Sequence, residues 1–253
     1  MFRLTREVRF AVNEIADDQL SHPPSNSYAG YPSLSGFGKY FALRVTLQAP
    51  LDSRSGYLRN IKEIDWAVRE KIIGGSLWPT EIFAKLRGAW PGAELHSIQL
   101  FLSPFLSLTE LSSEHGMHTR LSQKFEFSAS HRLHNPAFSD EQNRATYGKC
   151  NNPSGHGHNY EIEVTLRGQP KANGLLVDVP AFERIVQQQV IEKFDHKNLN
   201  LDVSEFRELI PSVENITKVI YGMLKNRFSD VGAELASVKV WETPKTFCEY
   251  SEM

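Results

Sequence analysis

The sequence predicts an α+β protein made of two tandem units, each a four-stranded antiparallel sheet with two helices on one face. Three observations carry this. First, the halves of the chain match: Ser35-Gly-Phe-Gly-Lys-Tyr-Phe-Ala-Leu-Arg-Val-Thr-Leu47 lies over Ser154-Gly-His-Gly-His-Asn-Tyr-Glu-Ile-Glu-Val-Thr-Leu166, and Ala93–Ser97 with Pro104 lies over Ala233–Ser237 with Pro244. Second, both halves run strands, then helical periodicity, then strands, the order of helices segregated to one face of an antiparallel sheet. Third, the polar segment Ser112 to Ser122 separates the copies. The predicted domains are therefore 1–113 and 120–253.

In the second copy, Gln123–Ser130 alternates as a first strand, and His134–Gly155 reads as a long loop. Tyr160–Arg167 alternates as a second strand, followed by a turn at Lys171-Ala-Asn-Gly174. A helix is expected from about Pro180 to Phe194, with Pro180 in its first turn. A second runs from the N-cap Ser212 to about Phe228. Strands Ala236–Thr243 and Thr246–Ser251 close the copy. The first copy gives strands near Val8–Ile15 and Phe41–Leu47, helices near Ile61–Ile72 and Thr80–Ala89, and strands near Ser97–Leu102 and Phe105–Glu110.

The chain has 253 residues, 40% hydrophobic and 23% charged, with a formal net charge of -2, which describes a folded globular protein. No Lys/Arg block makes a nucleic-acid footprint, and no apolar run reaches membrane-spanning length. The start, MFRLTREVRF, lacks the apolar core of a signal peptide. Two cysteines, Cys150 and Cys248, make no disulfide framework, so a cytoplasmic location is expected.

The chemistry concentrates in Cys150-Asn-Asn-Pro-Ser-Gly-His156-Gly-His158-Asn-Tyr160. On a strand, residues i and i+2 share a face, so His156 and His158 stand side by side and suit one metal ion. Gly155 and Gly157 leave the approach of the metal unobstructed. Two imidazoles leave a zinc site short of ligands. Cys150 either closes a structural site as a further ligand or stands off the metal as a thiolate base.

Phe127-Ser-Ala-Ser-His131, Cys150-x5-His156-Gly-His158, Asp195-His196, Pro211-Ser-Val-Glu214-Asn215 and Trp241-Glu242-Thr243 stand in the order and style of one family. The second copy resembles the 6-pyruvoyl-tetrahydropterin synthases, a family that includes the 6-carboxytetrahydropterin synthases of queuosine biosynthesis. The resemblance implies two tandem T-fold (tunnelling-fold) units, Zn2+ as cofactor and 7,8-dihydroneopterin triphosphate as substrate. It makes His131 the third zinc ligand beside His156 and His158, leaving the neighbouring His134 as a loop residue. It favours Cys150 as the catalytic base, assisted by Asp195 and His196; a helix C-terminal charge pair is the plain alternative for those two. It assigns the pterin anchor to Glu242, whose carboxylate can accept two parallel hydrogen bonds from an amino group and a ring N–H. Thr243 and Glu214 are further expected substrate contacts, although a polar residue at a helix start can serve only as a cap.

In the first copy Phe37 and Lys39 replace the two strand histidines, Glu14 falls opposite His131, Tyr31 roughly opposite Cys150, and Leu102 opposite Glu242. That copy is expected to keep the scaffold and bind no zinc. The expected activity is a lyase: triphosphate elimination with internal redox rearrangement to 6-pyruvoyl-tetrahydropterin. The alternative is a 6-carboxy-5,6,7,8-tetrahydropterin synthase, and the second alternative is a non-catalytic zinc-stabilised assembly module. The six-residue step from Cys150 to His156 resembles the pyruvoyl enzymes. Family resemblance also implies a homo-oligomer, possible as a trimer; from composition, no nucleic-acid or membrane partner is expected.

Overall fold

The computed structural model describes residues 1–13 and 37–252, so Glu14, Ile15, Tyr31, Ser35 and Gly36 lie outside the described residues. The chain divides into two compact units: Met1–Leu121 with Gln169–Gly174, and Ser122–Gly168 with Leu175–Met253.

The first unit is built from β1 (Phe2–Asn13), β2 (Gly38–Ala49), α1 (Ile61–Lys71), α2 (Pro79–Leu86), β3 (Glu94–Ser103) and β4 (Leu106–Leu111). Its strands pair antiparallel in the order β1-β2-β3-β4. Alternation along β2 buries Leu43, Val45 and Leu47 on one face. These meet Ile64, Ala67 and Val68, which helical spacing brings to one stripe of α1, and Ile82, Phe83 and Leu86 of α2. Each of these Val, Leu, Ile and Phe side chains, fully buried, contributes roughly 1.5–3 kcal/mol. Asn60 caps α1 by accepting from the Lys62 N–H, and Pro79 supplies the first turn of α2, where an N–H would have no partner. The Arg6 guanidinium donates twice to Asp65, tying α1 to β1.

The second unit contains most of β5 (Thr119–His131), from Ser122 on, with α3 (Asp140–Tyr147), β6 (His156–Gly168), α4 (Val179–Val186), α5 (Glu192–Phe194), β7 (Lys197–Asn198), α6 (Leu199–Asp202), α7 (Val213–Leu224), β8 (Glu234–Thr243) and β9 (Thr246–Tyr250). The sheet order is β5-β6-β8-β9. Its buried core residues include Phe127, Tyr160, Ile162 and Val164 on the strands and Phe182, Val186, Phe194, Ile216 and Ile220 on the helical side, with Phe127 edge-on to Phe194.

Four expectations need correction here. The segment His134–Gly155 is not a plain loop: it holds α3, started by a capping box between Ser139 and Gln142, and a 3-10 turn at Gly148–Asn151 that carries Cys150. The second strand begins at His156, not Tyr160. The helix over 180–194 is interrupted by a π turn at Gln187–Ile191. The sheet is not wholly antiparallel, because β7 pairs parallel to β5, Ala129 opposite Lys197.

Two irregularities recur at matching sequence positions. The β2–β3 register shifts between Thr46 and Leu47, and the β6–β8 register between Thr165 and Leu166. The β3–β4 register shifts between Phe101 and Ser103, and the β8–β9 register between Trp241 and Thr243. The second pair of bulges leaves Leu102 and Glu242 without a cross-strand partner.

Candidate metal centre

Strand β5 ends on His131 and β6 begins on His156, so the two ends bring three imidazoles together. The pleat puts His156, His158 and Tyr160 on one face. Close approach of the strands depends on Gly155. Gly155 has φ +70°, and a Cβ there would lie 2.9 Å from the His131 carbonyl oxygen; one on Gly157 would lie 3.4 Å from that of Ala129. Gly155 therefore makes room for β5 backbone, a role beyond the metal access expected of it, while a Cβ at Gly157 would meet an ordinary contact.

One ring nitrogen from each of His131, His156 and His158 lies within 4.8 Å of the others, and the Nε2 atoms of His131 and His156 are 3.1 Å apart. His131 is fully buried. Its Nδ1–H donates to the Pro211 carbonyl at 2.7 Å, which in the neutral ring leaves Nε2 a lone pair aimed at its two partners. Burial drives its pKa down to about 4, helped by the neighbouring imidazoles and opposed by the Pro211 carbonyl. Burial also lowers His158, opposed by Glu242 and reinforced by His156. Both rings are thus favoured in the neutral form that ligates metal. His158 Nε2 is buried without a hydrogen-bond partner, as a nitrogen reserved for a cation would be. The donor set, three imidazoles, fits zinc. Among the described residues this is the one group of three side chains placed to hold a metal.

Tyr160 completes the centre. Its ring is buried, stacks on Phe127 and stands edge-on to His131 and His158, with its hydroxyl 3.4 Å from His131 Nδ1. Burial raises its pKa, with Glu242 and Cys150 adding to the shift, so the phenol keeps its proton. Tyr160 and Pro211 both stood in the quoted motifs without a role. The i+2 spacing from His158 was a usable signal for Tyr160; a main-chain carbonyl 80 residues from its histidine leaves none.

Cys150 is half-buried and not part of the three-nitrogen group, and its carbonyl accepts from the Leu133 N–H. His134 turns away to Asn151 Oδ1 at 3.1 Å. Glu242 Oε1 lies 3.3 Å from His131 Nε2 and 3.6 Å from His158 Nε2.

Asp195 and His196 follow the helical run, and His196 adopts φ +56°, uncommon outside glycine. The turn is held on both sides. Ser128 N–H donates to Asp195 Oδ1 at 2.9 Å, His196 N–H donates to the Ser128 carbonyl, and His196 Nδ1 is 2.8 Å from Asp195 Oδ2. The Ser128 N–H, then His196, hold the Asp195 carboxyl below its usual range.

An open cleft of about 750 Å³ adjoins the centre. His158, His196, Lys197, Glu242 and Thr243 line it, with Ser128 and Ser130. The structure thus brings His196 and Glu242 of one chain to one cleft. Glu214 is not among the lining residues; it is exposed in the first turn of α7, where Ser212 is the cap. In the first unit, Phe37 and Lys39 are exposed and Leu102 is half-buried.

A triad of imidazoles beside a polar cleft, on a sheet backed by helices, defines a candidate metal-binding α+β protein. The family model for 6-pyruvoyl tetrahydropterin synthase matches residues 120–253. The chain belongs to that family. The 6-pyruvoyl tetrahydrobiopterin synthase of Homo sapiens is 38% identical over 132 residues, 52% of this chain and 90% of that relative. The 6-carboxy-5,6,7,8-tetrahydropterin synthase of Haemophilus influenzae is 27% identical over 126 residues, 42% of this chain and 86% of that relative. A solved structure of Caenorhabditis elegans 6-pyruvoyl tetrahydropterin synthase is 34% identical, covering 54% of this chain and 96% of that chain with a TM-score of 0.50. No helix among the described residues is long and apolar enough to cross a membrane.

Proposed function

We propose that the protein is a zinc-dependent 6-pyruvoyl-tetrahydropterin synthase-like lyase acting on 7,8-dihydroneopterin triphosphate. The observation that carries this is the convergence of three imidazoles beside a cleft lined by Glu242 and His196, within the region of the family match. His131, His156 and His158 would hold the metal. A bound zinc ion would supply Lewis-acid polarisation of the substrate's side-chain hydroxyls. Glu242 accepts hydrogen bonds from the pterin's amino group and ring N–H, with Thr243 beside it. Cys150 takes and returns carbon-bound protons, and His196, oriented by Asp195, exchanges them. Lys197 lines the cleft and forms no ion pair among the described residues, so it offers a cation to the triphosphate. Triphosphate leaves by elimination, and internal rearrangement needs no external oxidant or reductant. Glu214, in the first turn of α7, remains, like Thr243, a proposed substrate contact.

In this reading the chain is a tandem duplication, and the matching bulges support it. The copy over 1–113 is then a scaffold without metal. Assembly as a homo-oligomer, a trimer of tandem chains, belongs to the same reading, and sedimentation of a monomer would remove it. The central test is incubation of zinc-loaded protein with the triphosphate. Mass spectrometry is expected to find free triphosphate and the pyruvoyl product. Loss of a two-carbon fragment would assign the carboxy reaction, and unchanged substrate would leave a non-catalytic zinc module.

A further inference from the structure

Cys150 sits on the short turn Gly148–Asn151, whose own bonds are local. The Gly148 N–H donates to the Arg144 carbonyl, and the Asn152 N–H to that of Lys149. Neither bond fixes the turn against the sheet. The Leu133 N–H does so with a main-chain bond to the Cys150 carbonyl at 2.9 Å. Three further tethers come from side chains, and all end on buried Asn151, the residue after the thiol. Arg132 supplies two: its Nε donates to the Asn151 carbonyl at 3.1 Å and its Nη2 to Asn151 Oδ1 at 3.0 Å. His134 Nδ1 gives the third, to the same Oδ1 at 3.1 Å. One edge of the guanidinium thus spans the main-chain and side-chain oxygens of a single residue, which fixes its direction as well as its place.

An arginine fork commonly grips a carboxylate or phosphate. Among the described residues Arg132 forms no ion pair, so its fork is committed to two neutral oxygens beside the thiol. Arg132 is itself clamped. Its N–H donates to Asn200 Oδ1 at 2.7 Å, and Asn200 Nδ2 donates back to the Arg132 carbonyl at 3.0 Å. The Asn200 amide thereby continues the pairing of β5 with β7, in which Ala129 faces Lys197 and Ser130 faces Asn198. A single run of contacts leads from the segment of Asp195 and His196, through β7 and Asn200, to Arg132 and on to the turn of Cys150. Arg132 also follows His131 directly in the chain. The strand of His131, the acid–imidazole segment and the thiol turn therefore meet at one side chain.

We propose that Arg132 is a positioning residue, whose fork on Asn151 sets where the Cys150 thiol stands relative to His196 and the bound substrate. This rests on the functional reading above, in which Cys150 moves protons. Proton transfer needs its partners within hydrogen-bond reach, and a misplacement of about 1 Å costs about 100-fold in rate. A lysine would keep the charge but not the planar two-nitrogen edge that holds both oxygens of Asn151.

The test compares the full, zinc-loaded chain with Arg132→Lys, Arg132→Ala, Asn151→Ala and the double variant Arg132→Ala/Asn151→Ala, with zinc content and circular dichroism checking the fold. For both Arg132 variants kcat on the triphosphate is expected to fall about 10–100-fold, with KM within about threefold of wild type. The double variant is expected to fall no further than the worse single one, because both changes break one contact. A residue that only stabilised the fold would leave kcat per zinc-loaded molecule unchanged. Hydrogen–deuterium exchange supplies a readout that needs no turnover: the amides of residues 148–152 are expected to exchange about tenfold faster once the charge-assisted bonds are lost. Should Arg132→Ala fail to fold, Arg132→Lys and Asn151→Ala carry the same comparison. Arg132→Lys with kcat within about twofold of wild type would overturn the proposal. So would unaltered exchange of the turn in the variants. If wild type leaves the triphosphate unchanged while the turn loosens in the variants, the functional reading fails and the tether stands.

Discussion

Replacing Gly155 with Ala puts a methyl group where the structure has His131 backbone. Two costs add. Gly155 sits at φ +70°, where a Cβ costs about 1–2 kcal/mol. The new Cβ would also lie 2.9 Å from the His131 carbonyl oxygen, a contact between two main chains that no side-chain rotation relieves. Overpacking of that kind costs about 1–3 kcal/mol. Against this, Ala restricts the unfolded chain and returns about 0.4–1 kcal/mol. The net is a loss of about 2–4 kcal/mol. At about 2–4 °C per kcal/mol for a chain of this size, the melting temperature of the chelator-treated protein is expected to fall by about 5–15 °C. Two controls separate the causes. Gly232 has φ +82° with open space around its Cβ position, so Gly232→Ala carries the backbone cost alone, about 1 kcal/mol. At Gly157 the nearest atom would be 3.4 Å away, an ordinary contact, so Gly157→Ala is expected near neutral. Differential scanning fluorimetry with chelator titration reads stability and zinc affinity together. If Gly155→Ala melts with Gly232→Ala and keeps its zinc affinity, the close approach of the strands does not build the site.

Three further outcomes follow from the same geometry. Cys150→Ala is expected to keep its zinc and lose product formation by 100-fold or more, on the order of a general base's contribution; zinc lost along with the thiol would mean a closed structural site. Lys197→Ala is expected to raise KM for the triphosphate with little change in kcat, and to flatten the salt dependence of kcat/KM; equal falls in kcat and kcat/KM would place Lys197 in the chemical step instead. For the metal-free protein, His131 has its pKa lowered from 6.5 to about 4, so the unfolded chain binds the extra proton first as pH falls. The stability that His131 contributes is therefore full above about pH 6.5 and is lost as pH falls toward about 4, up to about 3 kcal/mol. Urea melts of wild type and His131→Asn across that range check it, and parallel curves for the two proteins would count against the assignment.

The parts of the fold that obey short-range rules could be read directly. Alternation marked β6 and β8, and Ser212 marks a helix start that the structure keeps. The strand histidines were legible because i and i+2 share a face. The segment His134–Gly155 reads as loop, although Ser139-x-x-Gln142 announces the start of α3 by reciprocal capping. The π turn in the long helix left no pattern, since one extra residue per turn only blurs a helical period. The contact of His131 with Pro211 and the meeting of Glu242 with two ligand rings depend on which strand ends meet, and no local rule contains that.

Ser128 binds with all three of its polar groups. Its N–H holds Asp195, its carbonyl holds the His196 N–H, and its hydroxyl reaches Asn159 Oδ1 on the neighbouring strand at 2.7 Å. It stands three residues before the buried ligand His131 on the same strand. Any shift of that strand therefore carries the acid–imidazole pair and the metal-facing ring along together, as one lever arm. Because two of the three grips are main chain, trimming the hydroxyl of Ser128 would leave that mechanical coupling in place.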